Sequence, residues 1–334
     1  MEWTSDVSAG DWLRARLDEH LTANMHGVVP RGFPAYARIF HPAYRDRPIG
    51  QPWPPLPYDR HRREWDGFQA ANPQIEEEPV TWTDAAVAFG TTMHELAQWH
   101  HLVDKHRQVQ GEDGPRDAAG WRYAEPRIGV LPADLVAVTA EHLAAHTATP
   151  DAGYVAVWEG WGGLLGFKCM GPSRAFFAFD GDPDATPDPA VARNNRMLGR
   201  SITDTFNNVF RRPTWQPGIL SDEISKGPRL HLPGRGHVLF RGGVAELADP
   251  DWVLRVPWRD RDGEQHGFPP DAQSPSLIWP DDRAWVLVTE VDFDSTIVAG
   301  SPELVRALCA DPRIEAHAIP ADADLTWDGD PINR

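Results

Sequence analysis

The sequence predicts an α+β fold in which a mainly helical N-terminal half packs on a mixed or antiparallel sheet formed mostly by the C-terminal half. Three observations carry this expectation. Up to residue 150 the apolar residues recur mostly at helical spacing, and beyond it β-branched and apolar runs alternate with Gly- and Pro-rich turns. A chain of 334 residues with 41% hydrophobic content can bury a large core. Regions 1–150 and 151–334 are expected to form one integrated unit, and no internal repeat is present.

Taken in order, residues 9–25 read as an amphipathic helix with Trp12, Leu13, Leu17 and Leu21 on one face. Residues 35–40 read as a short strand. The stretch 42–58 carries six prolines and reads as an extended surface loop barred from regular pairing. Thr83 and Asp84 cap an expected long helix over 85–109, and Pro132 opens another over 132–145. Strands are expected at 154–158, 175–179, 236–240, 252–256, 284–293 and 314–319, with helices over 190–210 and from Ser301 to about residue 310.

Composition narrows the function classes. Net charge is −17, a field that repels nucleic-acid phosphates and anionic lipid and favours a basic protein partner. Two cysteines, Cys169 and Cys309, stand in no metal-type spacing and do not suggest a secreted disulfide scaffold. No apolar run approaches a membrane span and the N-terminus has no signal-type pattern, so the expected location is cytoplasmic, with no membrane partner. Fifteen Trp is a high count, and each is expected to serve the core unless it lines a site.

One motif suggests chemistry. Asp292-Phe293-Asp294-Ser295-Thr296 follows the apolar run 285–288 and resembles the first motif of the haloacid-dehalogenase superfamily of phosphohydrolases. That resemblance implies Asp292 as nucleophile, Asp294 as general acid/base and a magnesium ion between them. The family places a phosphate-steadying Lys and a further acidic pair after this motif. Here Lys105, Lys168 and Lys226 all lie upstream, and 38 residues follow Thr296. Period-two alternation supplies a plainer reading: Leu287, Thr289, Val291 and Phe293 share one face, and Asp292 and Asp294 end the other as a hydrated strand tip.

Other clusters also admit two readings. His94-Glu95 opens a histidine-rich stretch, but Gln98 stands where a His-Glu-x-x-His zinc helix needs its second ligand. His94, Gln98 and His101 still share a face of the expected helix, a polar solvent-facing stripe or a partial metal set. His142 and His146 lie one turn apart near a helix end, where the dipole favours them. Trp158-Glu159-Gly160-Trp161 could cradle a ring on glycine-rich backbone, or plug the core at a strand end. The Gly-rich run 232–237 lacks nucleotide-loop spacing.

Several runs together resemble a family of uncharacterised actinobacterial proteins: 29–33 with 35–42, His146-Thr147 with Thr149-Pro150, 157–162, Trp279-Pro280 with 282–285, and 292–301. The resemblance implies one integrated unit and carries no activity, cofactor or catalytic residue. Lys supplies only three of the 32 basic residues, in keeping with a GC-rich genome of that type.

The expected function is accordingly a binding or interaction protein, of acidic immunity or regulatory type, without a cofactor. Its ligand or basic partner would sit in a groove formed by Trp158, Glu159, Trp161, Asp282, Arg283 and Trp285. The alternatives are a hydrolase of a phosphorylated or sugar-like small molecule, using Mg or Zn on Asp292, Asp294, His94 and His101, and a carbohydrate-binding module.

Overall fold

A computed structural model describes residues 1–19, 25–103, 114–169 and 212–334. Residues 175–179 and 190–210, expected as a strand and a helix, lie outside the described residues, as do 20–24 and 104–109 of the helices expected over 9–25 and 85–109. Along the chain the strands are β1 (Glu2–Trp3), β2 (Ala35–Phe40), β3 (Ala43–Pro48), β4 (Ile75–Val80), β5 (Arg122–Ala124), β6 (Gly153–Trp158) and β7 (Phe167–Cys169). After these come β8 (Thr214–Gln216), β9 (Leu230–Leu232), β10 (Arg235–Arg241), β11 (Leu277–Pro280), β12 (Val286–Val288), β13 (Ser295–Gly300) and β14 (Ala316–Ile319).

The mainly helical N-terminal half is not found. Five strands fall within the first 150 residues, and the helices there are short apart from Arg62–Ala71 and Ala133–Ala145. Two expected helices break for identifiable reasons. The first stops after Asp11–Arg14, because the backbone of Arg16 and Asp18 is drawn into tertiary bonds: Arg31 N–H donates to the Arg16 carbonyl and Asp18 N–H to the His26 carbonyl. The second begins earlier than expected, at Trp82, with Thr81 as the cap accepting from Asp84 N–H, and ends at Phe89. Gly90 there adopts φ +64°, and Thr91 N–H returns to the Ala86 carbonyl, a left-handed helix stop. Helix resumes only at Trp99–Val103, so His94 and Gln98 precede it and do not share a helical face with His101.

The proline-rich stretch also departs from expectation. Pro42 and Pro48 lie at or beyond the ends of β3, which leaves Tyr44 to Arg47 free to pair with β4 on one side and β5 on the other. Conversely, residues 250–254 form a 3-10 turn and not a strand, started by Asp249, which caps Asp251 N–H, with Pro250 next. The expected strand 284–293 is reduced to β12, since Phe293 N–H bonds the Glu290 carbonyl and turns the chain back.

The chain divides into two compact units. Unit 1 comprises residues 1–15 and 136–284; its antiparallel sheet runs β1-β10-β6-β11, with β9 also on β10, and β7 pairs β8. Unit 2 comprises residues 16–135 and 285–334; its strands run β12-β13-β2-β14, with a second sheet β4-β3-β5. In unit 2 a core of Phe40, Val80, Trp82, Ala86, Trp99, Leu102 and Tyr123 packs around the start of β3. The Glu315 carboxylate accepts from Trp82 N–H, Thr83 N–H and Thr83 Oγ1, all at 2.7 Å, closing the N-terminus of the helix Trp82–Phe89 from far along the chain.

Candidate functional site

Asp292, Phe293 and Asp294 of the acidic motif lie in the six-residue connection between β12 and β13 in unit 2, and Ser295 and Thr296 open β13. Val286 to Val288 pair with Ile297 to Ala299, so the two ends of the connection are fixed by the hairpin register. Its tip is held from outside: Gly129 N–H donates to the Phe293 carbonyl at 2.8 Å, and His41 N–H to the Asp294 carbonyl at 3.0 Å. Gly129 has φ +68°, and a Cβ there would stand 2.6 Å from the Val291 Cα. Only glycine permits this approach.

Beneath the tip lies Arg38, in the middle of β2 and 1% exposed. Its Nε donates to Ser295 Oγ at 2.9 Å, its Nη1 to the Ala97 carbonyl at 2.8 Å and its Nη2 to Asp294 Oδ1 at 3.2 Å. The guanidinium carbon also lies 4.5 Å from the Phe40 ring centre and 5.4 Å from that of Trp82. Burial pushes the Arg38 pKa down and Asp294 opposes it; a guanidinium in this fork geometry remains charged. One side chain thus ties the 294–295 segment to the turn that precedes the helix Trp99–Val103.

That turn has a second anchor in Asp330, which is fully buried. Its Oδ1 accepts from His94 Nε2 at 2.9 Å and from the Ile332 and Asn333 amides, and its Oδ2 accepts from Gln98 N–H and Asn333 Nδ2. Desolvation raises the Asp330 pKa, but the hydrogen bonds from Asn333, Ile332 and His94 outweigh it and hold the carboxyl well below the usual range. His94 Nδ1 accepts from Leu96 N–H, which places the ring proton on Nε2, so both nitrogens are occupied.

Between these walls is a cavity of about 290 Å³. Gln98, Trp99 and His100 form one side, Asp292, Phe293, Asp294 and Ser295 another, and Glu125, Ile128 and Trp327 also line it. The Trp327 ring stacks on His100 with centres 3.5 Å apart and planes 10° apart. Burial, with the neighbouring His101, pushes the His100 pKa down to about 4, so the ring is neutral near pH 7. Gln98 Nε2, Trp99 Nε1 and His100 Nε2 are buried nitrogens with no hydrogen-bond partner, although Gln98 and Trp99 are only 5% and 4% exposed. These three are among twelve such side-chain atoms distributed over the described residues, and each is shielded from solvent by its neighbours.

A nucleophile-like pair lies close by. His41 Nδ1 faces the Arg127 carbonyl at 2.8 Å, and its Nε2 faces Thr296 Oγ1 at 2.9 Å, which in turn lies 2.9 Å from Thr289 Oγ1. Burial pushes the His41 pKa down to about 4. His41 and Thr296 are both 0% exposed. The network satisfies polar groups inside the core and offers no approach to a substrate.

Structural contacts occupy the other expected site residues. In unit 1, Trp158 and Trp161 contact edge to face with ring centres 5.5 Å apart, and the Trp158 ring covers Gly160, where a Cβ would meet it at 2.1 Å. Glu159 pairs with Arg229, which also donates to four carbonyls around the helix Asp222–Lys226. Asp282 Oδ2 accepts from Thr147 Oγ1 and Ala148 N–H, and its Oδ1 from Ala284 N–H. The Arg283 guanidinium lies over the Trp12 ring at 5.3 Å. Trp285 belongs to unit 2 and is 0% exposed. These contacts hold loops and core together. Among the metal candidates, Asp292 and Asp294 share the cavity wall, His94 is spent on Asp330, and no group of three or more His, Cys, Asp or Glu that could hold a metal occurs among the described residues.

Sequence reasoning misses Gln98, Trp99, Phe293, Glu125 and Trp327 as site residues. The density of His and Trp over 94–101 is the available signal, but its spacing implies a continuous helix that the structure breaks. Compared with family models, curated protein sequences and solved structures, the chain matches none. No helix among the described residues is long and apolar enough to cross a membrane.

Proposed function

We propose that this chain is a binding protein for a small polar molecule, and that the cavity between Gln98–His100 and Asp292–Ser295 is its site. The observation that carries the reading is a cavity of about 290 Å³ in which Gln98, His100, Asp292 and Ser295 stand beside Phe293 and Trp327. A concave site that combines aromatic faces with a few polar groups is the usual form of a small-molecule site. The walls are held by Arg38 and Asp330, so the cavity is largely formed before a ligand arrives, which limits the ordering cost of binding.

The hydrolase alternative draws support from Asp292, Asp294 and His100 on one cavity. Against it, Asp294 is engaged by Arg38, and none of the cavity-lining residues is Lys or Arg to steady a phosphoryl group. A cytoplasmic setting is part of the proposal and is supported by free thiols at Cys169 and Cys309. Thermal-shift measurement against a panel of polar metabolites tests the assignment. At least one compound should raise the melting temperature of the wild type and not that of Gln98→Leu. A compound set that shifts both proteins equally, or neither, overturns it.

A further inference from the structure

The mouth of the cavity holds an aromatic ring that the core leaves uncovered. Trp327 lines the cavity and is 65% exposed. One of its faces lies on the His100 imidazole, with centres 3.5 Å apart and planes 10° apart, so the exposed area belongs to the opposite face and the edges. The backbone that carries this ring is tied on both sides. Thr326 N–H and Oγ1 donate to Asp324 Oδ1 at 2.9 and 2.6 Å, and Gly329 N–H donates to the Thr326 carbonyl at 2.9 Å. Directly beyond, Asp330 is bonded to His94 and Gln98. Ordering a side chain normally subtracts from binding, and here the ring is ordered before any ligand stacks on it.

Two further apolar side chains share the mouth: Ile128, which is 54% exposed, and Phe293, whose carbonyl accepts from Gly129 N–H. Single exposed apolar residues are ordinary, whereas three around one concavity form a patch of the kind that marks a binding surface. The charged residues of the lining, Glu125, Asp292 and Asp294, are all acidic. Such a mouth accepts N–H donors and repels phosphate.

We infer that the cavity takes a planar nitrogen heterocycle of nucleobase size that carries no phosphate. Its ring stacks on the uncovered face of Trp327, Ile128 and Phe293 contact its edges, and its N–H groups donate to the acidic rim at Glu125. A cavity of 150 Å³ accommodates benzene, so one of about 290 Å³ admits a bicyclic ring. This inference rests on the cavity being a binding site and adds the class of ligand.

The test is titration calorimetry at pH 7 with adenine, adenosine, AMP and glucose, on the wild type, Trp327→Ala and Trp327→Phe. Adenine should bind the wild type about ten-fold or more tighter than glucose, which has a similar number of atoms and no flat face, and AMP should bind a few-fold weaker than adenosine. Trp327→Ala should weaken adenine about ten-fold or more, and Trp327→Phe should recover most of that loss. In the wild type the adenine H2 and H8 resonances should move upfield, because they enter the ring current of Trp327.

Adenine binding that is unchanged in Trp327→Ala, or that brings no upfield shift, overturns the stack. AMP binding as tightly as adenosine overturns the exclusion of phosphate. If adenine and adenosine fail to bind while compounds of the thermal-shift panel still depend on Gln98, the heterocycle assignment falls and the cavity remains a site for another class; if no compound binds, the site falls with it. Trp327→Ala should retain the wild-type melting temperature, since most of the ring lies outside the core, and the upfield shift in the wild type decides the case in which it does not.

Discussion

At the scale of single residues, Arg38 and Gln98 show opposite uses of burial. Arg38 is a buried charge with its fork filled by Ser295, Ala97 and Asp294. Removing one partner of such an arrangement leaves an uncompensated charge and broken hydrogen bonds, so Arg38→Met should lower unfolding free energy by about 3–5 kcal/mol. The double variant Arg38→Met/Asp294→Asn should lose less than the two single changes together, because the carboxylate is then no longer orphaned. Urea titration of the four proteins measures the coupling, and strict additivity would show that the pair is not energetically linked. Gln98 carries a buried amide with no return in folding, so Gln98→Leu should hold or raise stability while ligand binding falls. A clear loss of stability in Gln98→Leu, seen in the same titration, would show that the amide serves the fold.

At the scale of elements, the β12–β13 connection is shaped more by what touches it than by its own residues. Alternation places Asp292 and Asp294 at the end of a long strand, whereas the chain turns at residues 290–293 and both carboxylates sit on the turn. The close approach of Gly129 fixes that turn. Gly129→Ala would force a side chain into the Val291 backbone at a positive φ, and should cost about 3 kcal/mol while shifting the Asp292 wall and weakening ligand binding. Equilibrium unfolding and titration calorimetry of the variant check both effects, and unchanged values would mean that the loop yields freely. Strand Ala35–Phe40 and the helix ending at Ala310 were legible, since each carries its own pattern and, for the helix, a Ser301-Pro302 start. The expected helix over 85–109 was not. Its apolar spacing persists across Gly90, but a glycine in left-handed conformation ends a helix whatever follows.

At the scale of the whole molecule, buried histidines in both units, His41 and His237 together with the half-buried His100, contribute to the response to acid. Burial pushes His41 and His237 down from 6.5 to about 4. Between these values the unfolded chain binds protons that the folded protein does not, so stability is full above pH 6.5 and falls as pH drops towards 4. His41 and His237 should each remove about 2 kcal/mol by pH 5. Urea unfolding at pH 7.5 and pH 5 should show this loss, and His41→Gln should show a smaller one; an identical pH dependence in the variant would place the proton uptake elsewhere.

The candidate site was legible only in its parts. Asp292, Asp294 and the His94–His101 stretch stood out as residues able to do chemistry, but Trp327 and Glu125 are ordinary in sequence, and nothing local joins residue 98 to residue 327. What the sequence alone determined are properties that sum over residues or repeat locally: the net charge of −17, the absence of a run long enough to span a membrane in a helix, the strand patterns and the capped helix starts. Tertiary structure decided which helices stop, that β3 pairs on both sides despite flanking prolines, and which polar atoms are buried without partners. The physical reason is that hydrogen-bond satisfaction and desolvation depend on atoms brought together from distant positions, whereas charge and local periodicity do not.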